Sequence, residues 1–164
     1  RLEGFAALLR LGFAKELVVV GGNEKRYEGE TPVINRAVTI CNMLVHDLMI
    51  DESRLQAVAS FPNTGGNIAI MKQIATAKKL SGAPGYFCAG VSNHYHLPRI
   101  SMDMRGCNFD CPLYPAEAFL ILEDDQCKQD LVSRLGGGPL AERMVEEIQG
   151  IAHKLKGTYS ALSK

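Results

Sequence analysis

The chain lacks most of the features that assign a protein quickly. It carries no net charge, with 18 Lys and Arg against 18 Asp and Glu. General nucleic-acid binding relies on clustered Lys and Arg, so that class is not expected. A small anionic ligand held by a few local groups stays open. No run approaches the ~18 consecutive apolar residues of a membrane span, and no signal peptide is visible. There is no internal repeat, no low-complexity tract and no linker long enough to divide the 164 residues. That length suits one domain with a real core. The dinucleotide fingerprint Gly-x-Gly-x-x-Gly is absent, as are the phosphate-cradling P-loop and the Gly-x-Ser-x-Gly nucleophile elbow. Five cysteines are present. An odd count in a chain of this size argues against a secreted disulfide framework.

What is present is a repeated handover from apolar run to polar loop. Leu17 to Val20 runs into Gly21-Gly22, Leu55 to Ser60 runs into Phe61 to Asn67, and Gly85 to Val91 runs into Ser92-Asn93-His94-Tyr95-His96. Short unalternating apolar runs suit strands buried on both faces of a parallel sheet. Between them lie helical patterns. Residues 1–11 repeat Leu2, Phe5, Ala6 and Leu9 at helical spacing, with Gly12 as a stop. Thr31-Pro32 predicts a helix start, and Val33, Ala37, Ile40, Leu44 and Leu48 give that helix one apolar face to about Asp47. Asn63 or Thr64 caps a third helix running to about Leu80. Pro98 starts a fourth, which ends at Gly106. A further strand is expected near Phe109 to Tyr114, then helices over about 124–135 and 139–156. Strands alternating with helices mean an α/β fold. The three polar loops are expected to share one edge of one sheet, where such folds place ligand sites.

Within those loops several residues carry two readings. Thr64 and Asn67 bind a ligand or cap a helix. Gly21 and Gly22 admit a ligand or form a tight turn. Glu30 accepts a hydrogen bond from a ribose-like hydroxyl or is a solvated acid at a helix start. Arg99 forks onto a phosphate or carboxylate, or makes a salt bridge to a neighbouring helix. His96 serves as donor, general acid or general base near a ligand oxygen, or orders its own loop. His94 and His96 lack an obvious third ligand, so no metal is expected there. Cys107 and Cys111 flank Asn108-Phe109-Asp110 without a second ligand pair, so no metal is expected there either. Cys41 and Cys88 read as small core residues. Cys88, placed mid-strand, is not read as a nucleophile.

Four stretches together resemble the YdcF/SanA/ElyC family, a domain of unknown function: Val18 to Gly22, Gly29 to Thr31, Asn63 to Asn67, and Ser92 to Ile100. The last is the most specific, with Tyr95, His96, Pro98 and Arg99 in register. The carboxyl-terminal ERMVEEIQGIAHKLKGTY is similar to that family's closing helix. Gly66 stands where the family usually has Glu, Pro62 looks like an insertion, and an apolar run replaces an expected acid before the Asn-Thr loop. The resemblance implies a three-layer Rossmann-like fold, a mostly parallel sheet flanked by helices. Arg1 resembles the Arg that opens the family's first helix, so the family's first strand and loop are expected ahead of it. The resemblance also implies a ligand site built from Gly21, Gly22, Glu30, Asn63, Thr64, Asn67, Ser92, Asn93, Tyr95, His96 and Arg99. One cytoplasmic member binds S-adenosylmethionine, which makes that cofactor and that compartment the expectation here. Other members are linked to the cell envelope, which implies the rival expectation of a hydrolase or transferase with His96 as acid or base. A third reading is a non-catalytic scaffold. The expected partner is a small molecule; oligomeric state is not legible.

Overall fold

The computed structural model of the protein describes residues 2–24, 34–60, 63–81 and 88–162. They are mixed α/β and gather into two compact units. No helix among the described residues is long and apolar enough to cross a membrane.

The first unit takes residues 1–15, 91–94 and 114–164. Its opening helix α1 (Leu2–Arg10) buries Gly4 through Leu9 without a break, so it is an interior helix rather than a half-exposed one. The reason is α5 (Ala116–Glu123), itself buried at Ala116 to Phe119 and at Ile121. The two approach so closely that a Cβ on Gly4 would stand 2.3 Å from the Ala116 carbonyl oxygen. Beneath α5 lie α6 (Cys127–Arg134) and α7 (Gly138–Leu162). Their core joins Ala118, Ile121, Leu131, Val145, Ile148 and Ala152. The last helix thus packs by its stripe of Ile148, Ile151, Ala152 and Leu155. Arg10 holds Glu123 by two parallel hydrogen bonds of 2.5 and 2.7 Å, and Arg134 reaches Glu3 at 2.9 Å.

Chain reversals in this unit follow from single residues. Gly12, at φ +77°, ends α1: its N–H donates to Leu9 and the Phe13 N–H to Leu8, each at 3.1 Å. This pairing satisfies carbonyls a helix end leaves open, and it needs the left-handed conformation that glycine adopts freely. Phe13 then lies edge-on to Phe119, ring centres 5.6 Å apart. The helix expected over 124–135 starts later, at Cys127. Asp124 explains the delay, because its carboxylate accepts from the Gln126 N–H at 2.9 Å and turns the chain.

The second unit takes residues 16–90 and 95–113. Strands β1 (Leu17–Glu24), β2 (Ile34–Asn35) and β3 (Leu55–Ser60) form one sheet in the order β2-β1-β3. β1 and β3 are parallel, from Leu17 beside Leu55 to Gly22 beside Ser60. The crossover between them carries α2 (Arg36–His46). Helices α3 (Thr64–Leu80) and α4 (Leu97–Gly106) pack on each other. Ile68, Met104 and Cys111 form the buried centre of that packing.

Several expectations need correction. The helix start predicted at Thr31-Pro32 falls outside the described residues, and α2 begins at Arg36 instead. Ile34 and Asn35 pair antiparallel with β1, and the Asn35 side chain accepts from the Ala37 and Val38 N–H groups. The strands are also less covered than doubly buried ones. Of the run Leu17 to Val20 only Val19 is buried, and β3 exposes Gln56, Ala57 and Ala59. Among the described residues β3 forms one edge of its sheet, with fewer neighbours than a central strand has. The third strand is β4 (Gly90–Ser92), shorter than the predicted Gly85 to Val91, of which residues 85–87 lie outside the described set. Among the described residues it pairs with β5 (Leu113–Pro115) in a two-stranded sheet and not with the first three strands. β5 also starts later than predicted. Asn108 takes φ +49°, and the Phe109 N–H is spent closing α4 on the Met104 carbonyl at 3.0 Å, so it cannot enter a ladder.

Candidate functional site

The predicted loop residues fall into clusters that each unit builds by itself. In the second unit, parallel register sets Gly21 beside Ala59 and Gly22 beside Ser60, where β3 ends while β1 runs on to Glu24. Gly21 has a packing reason of its own. A Cβ there would come within 3.1 Å of the Ala37 backbone nitrogen, where α2 begins. The loop after β3 enters α3 through Asn63, whose extended backbone and side chain make it the cap. Its Oδ1 accepts from the Gly66 N–H at 2.7 Å, and its carbonyl accepts from the Asn67 N–H at 3.2 Å. Thr64 is the first helical residue, so capping falls to Asn63. Ser60 donates from its hydroxyl to the Asn67 Oδ1, tying strand end to helix start.

Of the four amide donors a helix start leaves unused, the cap therefore takes one at Gly66. At Gly65 an added Cβ would meet, among the described residues, only the Asn63 Oδ1 at 3.7 Å. Among the described residues, a side chain at 65 therefore meets little besides the cap.

In the first unit, Ser92 closes β4 and is buried at 8% exposure. Asn93 and His94 follow, and both turn to Glu117. This carboxylate is 7% exposed, in the first turn of α5. Asn93 Nδ2 donates to Oε1 at 3.1 Å, the His94 N–H donates to Oε2 at 3.1 Å, and His94 Nδ1 lies 3.3 Å from Oε1. Three contacts on two oxygens offset the cost of burying an acid. A carboxylate at a helix N-terminus also meets the favourable end of the helix dipole. Asn93 Oδ1 is buried without a hydrogen-bond partner among the described residues. The geometry gives His94 a carboxylate on its Nδ1 side, the arrangement that fixes an imidazole's orientation and tautomer.

Tyr95, His96 and Arg99 belong to the second unit, at the start of α4. His94 to His96 form a single 3-10 turn. His96 occupies the capping position of α4 without a side-chain capping bond, and its ring lies 4.4 Å from that of Tyr95. Tyr95 is 61% exposed, and Arg99 is exposed on the first turn of α4. Glu30 lies outside the described residues.

Sequence reasoning missed Glu117 and left His94 without a role. The signal was available in one form: Glu117 is a lone acid in the run Ala116 to Leu122, otherwise apolar. An acid embedded in such a run needs a partner, and His94 supplies one. Among the described residues no three His, Cys, Asp or Glu side chains converge as a metal ion requires.

No family model, curated protein or solved structure matches this chain.

Proposed function

We propose that this protein binds a nucleotide-like or phosphorylated small molecule at the carboxyl-terminal ends of its parallel strands, in a three-layer Rossmann-like fold of the YdcF/SanA/ElyC type. The observation that carries the reading is the carboxyl-terminal end of β3, with Gly22 of β1 beside it, leading into a first turn of α3 that holds Gly65 and Gly66. Amide donors at a helix N-terminus suit an anionic group, and glycine at 65 and 66 leaves room for one. S-adenosylmethionine is the named candidate, by resemblance alone, as is a cytoplasmic setting. Its carboxylate is the group the α3 turn would take.

A thermal-shift panel tests this. It holds S-adenosylmethionine, S-adenosylhomocysteine, common nucleotides, sugar nucleotides and a prenyl phosphate. A ligand at ~100 times its Kd adds about 2.7 kcal/mol, several degrees for a chain of this size. A selective shift that disappears in Gly65→Val upholds the reading. A flat panel on folded protein moves the protein to the scaffold class.

A second reading rests on Glu117. An imidazole held by a buried carboxylate serves general acid–base chemistry, which favours a hydrolase or transferase acting on a phosphoryl or acyl group. Under that reading the acid–base residue is His94 rather than His96. Turnover of a phosphoryl or acyl substrate should fall at least ~100-fold in His94→Ala and stay within a few-fold of wild type in His96→Ala. The reverse order would return the role to His96.

A further inference from the structure

Three of the five cysteines meet in one place. Cys111 is buried beside Ile68 and Met104, and Cys88 and Cys107 pack against that cluster. Within it, Cys88 and Cys111 are the close pair, with sulfurs 4.0 Å apart. Each lies two residues ahead of a paired strand, Cys88 before β4 and Cys111 before β5. That placement departs from the mid-strand position expected for Cys88. The Gly90 N–H donates to the Pro112 carbonyl at 2.8 Å, which ties the two backbones together just beyond the pair.

We infer that Cys88 and Cys111 are a redox-active dithiol that reduces a low-molecular-weight disulfide and closes an internal disulfide bond. Exposure sets the order of attack. Cys88 is half-buried and Cys111 is buried, so an incoming disulfide meets Cys88 first. The Cys111 thiol donates to the Cys88 carbonyl oxygen at 3.3 Å, which holds its sulfur 4.0 Å from that of Cys88, close enough for the second step. Cys88 as thiolate attacks one sulfur of R–S–S–R, the S–S bond breaks, and RS⁻ leaves with the electron pair. Cys88 now carries a mixed disulfide. Cys111 then gives its proton to a thiolate or to water, attacks the Cys88 sulfur and expels the second RS⁻. The sum is two protein thiols and one small disulfide becoming one protein disulfide and two small thiols.

The electrostatics fit this sequence of events. The Cys111 thiol is pushed far up, first by its hydrogen bond to Cys88, then by burial, and also by charge on Cys88. Once Cys88 is capped by the small thiol its charge is gone, which removes one cause of the rise at Cys111 and eases the second step, while burial still opposes ionisation. Cys41 and Cys127 are pushed up by burial, Cys127 also by the carboxylates of Asp124, Asp125 and Asp130. Both are slower to form the thiolate that exchange requires.

The experiment uses the full chain under native conditions. It is incubated with excess glutathione disulfide, quenched with N-ethylmaleimide, and its intact mass and peptides are read. The expected product has lost the mass of two hydrogens, has two fewer alkylated thiols, and carries a crosslink between Cys88 and Cys111. Cys111→Ser should stop at a glutathione adduct on Cys88, and Cys88→Ser should leave Cys111 unmodified. Circular dichroism checks both folds, with the alanine variants as replacements for a serine variant that fails. A wild-type chain that keeps all its thiols overturns the inference. So does one that stops at an adduct on Cys88, or one that crosslinks another pair.

Discussion

At the residue scale, the molecule turns on places where one atom decides the outcome. Gly4 is the sharpest. A methyl group there would sit 2.3 Å from a backbone oxygen of α5, and backbone yields less readily than a side chain. Gly4→Ala should therefore cost at the upper end of overpacking penalties, about 3 kcal/mol or more. Urea unfolding would show it as a lower midpoint at unchanged slope. Asp51 acts by charge instead. Its carboxylate accepts from the Ser53 N–H at 2.9 Å, which holds it below the usual carboxylate range. A folded-state value below the unfolded one means the stabilisation is complete above the unfolded value. It is lost as pH falls through the folded one. Wild type should thus exceed Asp51→Ala in denaturation midpoint at neutral pH. The gap should close on acidification below the ordinary Asp range.

Helix ends recur as the determining feature at the scale of elements. Gly12, Asn108 and Gly136 each take a left-handed conformation after a helix. After each, the next residue's N–H reaches back to a carbonyl of the last turn. Gly12→Ala should cost about 1 kcal/mol, because alanine takes that conformation only with strain. The effect should appear as faster amide exchange in α1. These stops explain how much of the fold was legible. Gly12 and Gly136 announce themselves by residue type, and the ends of the helices before them were located from sequence to within a residue. Asn108 does not, since asparagine is common in ordinary loops, and the strand expected at Phe109 began four residues late. The helix expected at Thr31 was displaced for a related reason: Asn35 caps as well as Thr does, and only pairing with β1 sets Ile34 and Asn35 in a strand. Among the site residues, Asn63 was legible as a cap because capping is local. Glu117 was not, because its partners Asn93 and His94 lie 24 and 23 residues away. Spacing reveals contacts within one turn, not contacts that close a loop.

Taken whole, the described chain is sewn together out of order. The first unit draws on an opening segment, a four-residue visit at 91–94 and the last third of the chain, while the second fills the intervals. Long-range pairs such as Arg10–Glu123 and Arg134–Glu3 belong to that arrangement. In refolding, α1 and α5 should gain amide protection in the same kinetic phase, since each buries its surface on the other. Pulse-labelled hydrogen exchange would record it, and α1 protected well ahead of α5 would contradict it. The close fit of Gly4 against Ala116 then has a meaning for synthesis as well as for stability. When α1 leaves the ribosome, the surface it must bury against is still roughly a hundred residues from being made. At ~5–20 residues per second that is about 5–20 s. For that interval Phe5, Leu8 and Leu9 form an apolar patch with no destination. The nascent chain is therefore a natural client for a holding chaperone, and its vulnerable period ends only when α5 emerges.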